Sequence, residues 1–215
     1  MEIVASEVEA TGAHGPVLAP TSLRLRAGAL LLITGPPGPG PTALGLALTG
    51  RLRPDRGSVR HDGALDPRGL RRRTALVDSP DITAPDDSVP VRTAVAEGLS
   101  LAGRRSGRRR VRRHLDDSGV AHHADDRFER LPPHLRIRLL LDLACADPRV
   151  RALVLDAPDR HGGHPLDWYS PARQRAANGL AVAVLCAPHS ARALGVPAAR
   201  IGADHDHDPA TGGAR

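Results

Sequence analysis

Four short apolar runs punctuate an otherwise polar chain: residues 29–33, Thr74–Val77, residues 152–155 and residues 180–186. Each is continuous, and each is followed by Gly, Pro, Asp or Ser. Strands covered on both faces by helices read this way, because neither face alternates with solvent. Between the runs, apolar residues recur at helical spacing, most clearly over 42–52 and 135–146. Strands alternating with helices predict an α/β fold with a parallel sheet. The segment 2–26 differs, since Leu23-Arg24-Leu25-Arg26 alternates with a period of two. That predicts antiparallel strands with one solvated face. Residues 90–130 are polar, charged and helical in pattern, and read as a small helical lobe.

Composition narrows the core and the setting. With 215 residues, one domain with a small lobe is expected. Phe128, Trp168 and Tyr169 are the aromatics present, so Leu, Val and Ala must fill the interior. The formal net charge is +6, and all of the fixed positive charge is arginine. Cys145 and Cys186 lie in apolar runs and read as buried, reduced thiols. Glu2, Glu7 and Glu9 interrupt any apolar opening stretch, and no run reaches the roughly 20 apolar residues of a membrane span. A cytoplasmic protein is therefore expected, at most peripheral to the inner face of the cell membrane, with any spanning done by a separate subunit. Residues 203–215 carry Asp204-His205-Asp206-His207-Asp208 and read as a disordered tail.

The first apolar run leads into Gly35-Pro36-Pro37-Gly38-Pro39-Gly40-Pro41-Thr42-Ala43, and a helix follows. Strand, glycine-rich loop and helix form the context of the phosphate-binding pattern G-x-x-x-x-G-K-[ST]. Gly35, Gly40 and Thr42 fit it, and Pro41 stands where the lysine belongs. In such a loop, backbone N–H groups and the positive helix end face the phosphates, while the hydroxyl holds magnesium. Pro41 removes a cation and an N–H, and Pro39 removes another N–H. Charge-assisted hydrogen bonds are worth roughly 1.5–3 kcal/mol each, so the combined loss is on the order of 5 kcal/mol. Gly38, Gly40, Thr42 and Ala43 remain as candidate phosphate donors.

Further motifs follow in a fixed order. Leu52-Arg53-Pro54-Asp55-Arg56-Gly57-Ser58-Val59 precedes Asp62-Gly63. Leu131-Pro132-Pro133-His134-Leu135 opens a helix that ends at Ala146-Asp147-Pro148. Then come Ala152-Leu153-Val154-Leu155-Asp156-Ala157-Pro158 and Val184-Leu185-Cys186-Ala187-Pro188-His189. Over about residues 1–201 this order resembles the ATP-binding (nucleotide-binding) domains of ATP-binding cassette (ABC) transporters, in a degenerate form.

The resemblance implies a P-loop NTPase fold of the ABC type. Its core sheet would be mainly parallel, with N-terminal antiparallel strands and a helical lobe at about 90–145, all within a domain of residues 1–202. It implies ATP and Mg2+ as cofactors, with Gly35, Gly38, Gly40, Thr42 and Ala43 around the nucleotide. Thr42 and Asp156 would hold the metal, and Asp156 and His189 would be the catalytic pair, His189 as the switch histidine. It also implies a separate membrane-spanning subunit and a dimer, either of two copies or with another ABC cassette.

Several positions depart from the family pattern. Ala157 replaces the glutamate that polarises water. Ser79, with Asp78 beside it, stands near the Q-loop glutamine. Two prolines occupy the signature segment, and no aromatic lies near Ala13 or His14 to stack on adenine. Little or no ATP hydrolysis is expected. A catalytically silent regulatory or scaffold protein of the same fold is the alternative. The arginine runs Arg71-Arg72-Arg73 and 104–113 leave a nucleic-acid-binding protein as another. The absence of interleaved aromatics argues against it, and no nucleic-acid partner is expected.

Overall fold

The computed structural model describes residues 1–205. Eight strands run as β1 (Glu2–Gly12), β2 (Gly15–Arg26), β3 (Leu30–Thr34), β4 (Arg56–His61), β5 (Thr74–Val77), β6 (Ala152–Asp156), β7 (Ala181–Cys186) and β8 (Ala198–Arg200). Seven helices run as α1 (Gly40–Leu48), α2 (Pro67–Arg73), α3 (Val91–Leu101), α4 (Arg108–Asp117), α5 (Pro133–Cys145), α6 (Leu166–Ala177) and α7 (Pro188–Leu194). Five strands pair in parallel in the order β5-β6-β7-β3-β8, and three pair antiparallel in the order β2-β1-β4. The expected α/β architecture is present: a parallel core, an N-terminal antiparallel layer and a helical lobe.

The parallel sheet is buried on both faces, which explains its unbroken apolar strands. Alternate residues separate cleanly. Leu31, Ile33, Val154, Ala183 and Leu185 face α1 and the antiparallel sheet. Leu32, Leu153, Leu155, Val182 and Val184 face the side of α3, α5 and α6. Trp168 and Phe128 are fully buried among these aliphatics.

Two expectations need correction. The helix expected over 42–52 ends at Leu48, because Gly50 adopts φ 68° and the Arg51 N–H turns back to the Leu46 carbonyl at 2.7 Å. That is a glycine-terminated helix end, which a side chain would strain. The tail expected to be disordered from 203 is ordered at its start. The Ser22 N–H donates to the Ala203 carbonyl, and the His205 N–H donates to Ser22 in return. The rest of that tail lies outside the described residues. No helix among the described residues is long and apolar enough to cross a membrane.

Candidate functional site

Three strand ends converge on one edge of the parallel sheet. Thr34 on β3 is level with Cys186 on β7, and Asp156 on β6 is level with Leu185. Loops leaving this edge carry the glycine-rich segment, the Asp156 turn and the start of α7. Ligands gather at such carboxyl-terminal edges in α/β sheets.

The loop rises from β3 with Pro36, Pro37, Gly38 and Pro39 exposed, then tucks Gly40 under β2. A Cβ on Gly40 would lie 2.9 Å from the Val17 carbonyl, so only glycine fits there. Pro39 and Pro41 open α1, where missing N–H groups break no helical bond. Among the described residues, no backbone acceptor takes the N–H of Gly38, Gly40 or Thr42. Ala43 differs from expectation: its N–H donates to the Pro39 carbonyl at 2.9 Å. It belongs to the first helical bond of α1 and not to a phosphate cradle.

Asp156 is fully buried at the end of β6. Its Oδ2 accepts from Thr42 Oγ1 at 2.8 Å and from Ser79 Oγ at 2.7 Å. Its Oδ1 is buried and has no hydrogen-bond partner among the described residues. An unsatisfied carboxylate oxygen in a dry site is costly unless something binds it. Two hydroxyls beside a carboxylate form the hard oxygen set that suits Mg2+. Thr42, Ser79 and Asp156 thus fit the metal that the sequence implied, with Ser79 brought in from the loop after β5.

The next residue, Ala157, sits at φ 46° and ψ 55°, the left-handed region. A methyl side chain costs roughly 1 kcal/mol there, while glycine loses about 0.4–1 kcal/mol through unfolded-chain entropy. Ala157→Gly is therefore expected to raise the unfolding midpoint slightly or leave it unchanged, as denaturant titration would show. A clear drop would mean that the methyl packs usefully.

Beside this group lies a charge cluster that the sequence did not reveal. Asp78, with no exposed side-chain surface, accepts from Arg136 Nη2 at 3.0 Å and meets Arg160 Nη2 at 3.0 Å and His161 Nε2 at 2.8 Å. Arg136 also reaches Asp87 at 2.7 Å and lies 4.6 Å from the Phe128 ring centre. Burial by itself would raise the Asp78 carboxyl. Hydrogen bonds from His161 and Arg136, with the charges of Arg136 and Arg160, outweigh it and hold the carboxyl below the ordinary carboxylate range. The one sequence signal was a pair of arginines, Arg136 and Arg138, inside the apolar stretch 135–141. Asp78, beside the Q-loop position, is committed to these cations.

His189 stands exposed in the first turn of α7 and hydrogen-bonds to no described residue. The structure does not join it to Asp156 by any bond. Its helix is anchored by Asp159, whose Oδ2 accepts from the Ala187 N–H at 2.6 Å and Ser190 Oγ at 2.9 Å. Cys186, beneath, is pushed up to about 12 by burial and by the charge of Asp159.

No protein-family model matches the chain. Over 175 residues it is 33% identical to the hemin import ATP-binding protein HmuV of Bradyrhizobium diazoefficiens, covering 74% of this chain and 64% of that one. Over 143 residues it is 34% identical to the cytochrome c biogenesis ATP-binding export protein CcmA of Bordetella bronchiseptica, covering 65% and 62%. It thus spans less than two thirds of the length of either relative. In fold it is similar to an ATP-binding cassette of an ABC transporter in its ADP conformation, with TM-score 0.64, 18% identity, and 87% and 81% of the two chains covered.

The domain has the fold of an ABC-type cassette. Within the cassette, the signature position falls at the start of α5, where Pro132 precedes the helix and Pro133 begins it without a side-chain cap. His134 is exposed there. The cassette's β1–β2 turn at Ala13 and His14 is also exposed and presents no aromatic ring.

Proposed function

We propose that this cassette is a nucleotide-binding subunit of a transporter with a disarmed site. It binds Mg-ATP weakly and hydrolyses it little, and it works with a separate membrane-spanning subunit and a second cassette. The observation that carries the reading is the orphaned Oδ1 of Asp156 beside Thr42 and Ser79. Thr42 Oγ1 and Asp156 would hold Mg2+, which when bound neutralises phosphate charge. The free N–H groups of Gly38, Gly40 and Thr42 supply the phosphate contacts that remain.

No base stands next to Asp156, since Ala157 carries only a methyl. The prolines at the start of α5 remove N–H groups that a partner's nucleotide would use. The names of both curated relatives include ATP binding together with import or export, and this supports the transport setting.

A groove of about 780 Å³ runs between α2, α3, α5 and the segment after β5. Ile82 (47% exposed) projects at its wall. Exposed apolar side chains at a concave surface suit docking of another subunit, and the groove is the proposed seat of the membrane subunit.

Calorimetry with Mg-ATP tests the nucleotide reading. Binding in about the millimolar range is expected, weakened further by Asp156→Asn, with hydrolysis at background. Robust magnesium-dependent turnover abolished by Asp156→Asn would refute the disarmed site. Absence of any binding would favour a silent scaffold of the same fold. The hydroxyls already bonded to Asp156 make that second reading chemically coherent.

A further inference from the structure

The densest run of charge in the chain lies between α3 and α4 and along α4. Arg105, Arg108, Arg109, Arg110, Arg112 and Arg113 are all exposed, and among the described residues none of the six meets a carboxylate. By contrast, Arg136 in the same lobe and Arg175 on α6 are paired with acids. The run is held rigidly in place. Val111 and Leu115 bury the inner side of α4 in the lobe core, and Arg104 Nε donates to the Ala146 carbonyl at the end of α5. Gly107 offers no side-chain cap, and the first turn of α4 contains no acid. Positive side chains thus crowd the positive end of a helix, an arrangement unfavourable on its own and relieved by external anions.

Two observations decide what kind of anion fits. Leu101, the most exposed large apolar residue described, lies just before the run at the end of α3. It lies where the docking groove meets the run, and Gly103 and Arg104 continue directly into the cleft formed by the arginines. An exposed apolar side chain followed closely by unpaired cations suits an interfacial membrane contact. Nucleic acid has no use for the leucine, and the three aromatics lie elsewhere in the sequence.

We propose that the turn and helix at 101–113 form a contact site for an anionic phospholipid surface. The arginines hold headgroup phosphates and carboxylates, and Leu101 enters the headgroup boundary. The orientation toward the membrane rests on the docking reading above. The lipid contact needs neither nucleotide nor the membrane subunit, so a test on vesicles fails or succeeds apart from that reading.

The test is co-sedimentation of the full chain with phosphatidylcholine vesicles, with and without phosphatidylserine, over a salt series. Binding only to the anionic vesicles, lost at high salt, is expected. Each arginine near an acidic surface contributes about fivefold. Replacing Arg105, Arg108, Arg109 and Arg112 by Gln should therefore weaken binding by well over about tenfold, with circular dichroism unchanged. Leu101→Gln should weaken it at constant charge. No binding to anionic vesicles, or binding indifferent to the four substitutions, overturns the proposal. Duplex DNA binding at least about tenfold tighter than vesicle binding, and indifferent to Leu101→Gln, overturns it in favour of nucleic acid.

Discussion

Arg136→Met is expected to lower the unfolding free energy by about 3 kcal/mol, the low end of the 3–5 kcal/mol typical of breaking a buried ion pair. Methionine keeps the apolar stem that packs near Phe128, so the loss isolates the charge. It leaves Asp78 buried with Arg160 and His161 alone, which is why the low end is expected. Asp78→Asn tests the other side, and asparagine tolerates the φ of 58° at that position. The double variant should cost less than the sum of the two by about 0.5–3 kcal/mol, the coupling of contacting groups. Denaturant titration of the four proteins measures this; strict additivity would show that the cluster is not energetically one unit.

Acid should act on the same cluster, with a definite sign. The folded Asp78 carboxyl is held below its ordinary value, so its contribution is fully present above the unfolded value, about pH 4. That contribution drains away as pH falls through the lowered folded value. Arg136→Met removes one cause of the lowering and should flatten the acid limb of the stability profile below about pH 4. An unchanged slope would locate the acid sensitivity elsewhere.

Pro41→Lys should have the largest effect on ligand affinity. Position 41 is the second residue of α1, directly before Thr42, whose hydroxyl reaches Asp156. The substitution restores one cation and one N–H together. Each charge-assisted bond is worth about 1.5–3 kcal/mol, so Mg-ATP should bind on the order of a hundredfold more tightly. Pro39 stays, so recovery is partial. Stability should fall by about 0.4–1 kcal/mol, because proline restricts the unfolded chain. Hydrolysis should not return, since Ala157 is untouched. Calorimetry reads the first effect and phosphate release the second. An affinity unchanged within about twofold would mean that the shape of the loop, and not the missing lysine, disables the site.

Much of this molecule is written locally. The four apolar runs mark four of the five parallel strands to within a residue or so, because burial on both faces demands continuous apolar sequence. Alternation over 2–26 specified the antiparallel hairpin for the matching reason, one dry face and one wet. The positions of the glycine-rich loop and of Asp156 were also legible, since the loop follows one recognisable strand and Asp156 ends another, with Thr42 in the first turn of the helix after the loop.

What only the tertiary structure decided are the partners. Arg136 and Asp78 are 58 residues apart, and His161 and Asp78 are 83 apart. No periodicity encodes which buried cation meets which anion; packing of α5 and the Asp156 turn against the end of β5 does. The same holds for Ser79, which looked like a poor stand-in and proves to bond Asp156 across 77 positions. Ala43 shows the converse: its place in the motif was right, but its N–H is claimed by the helix that the motif begins. Local pattern fixes which residues are buried, whereas the pairing of polar groups is set when elements distant in sequence exclude water between them.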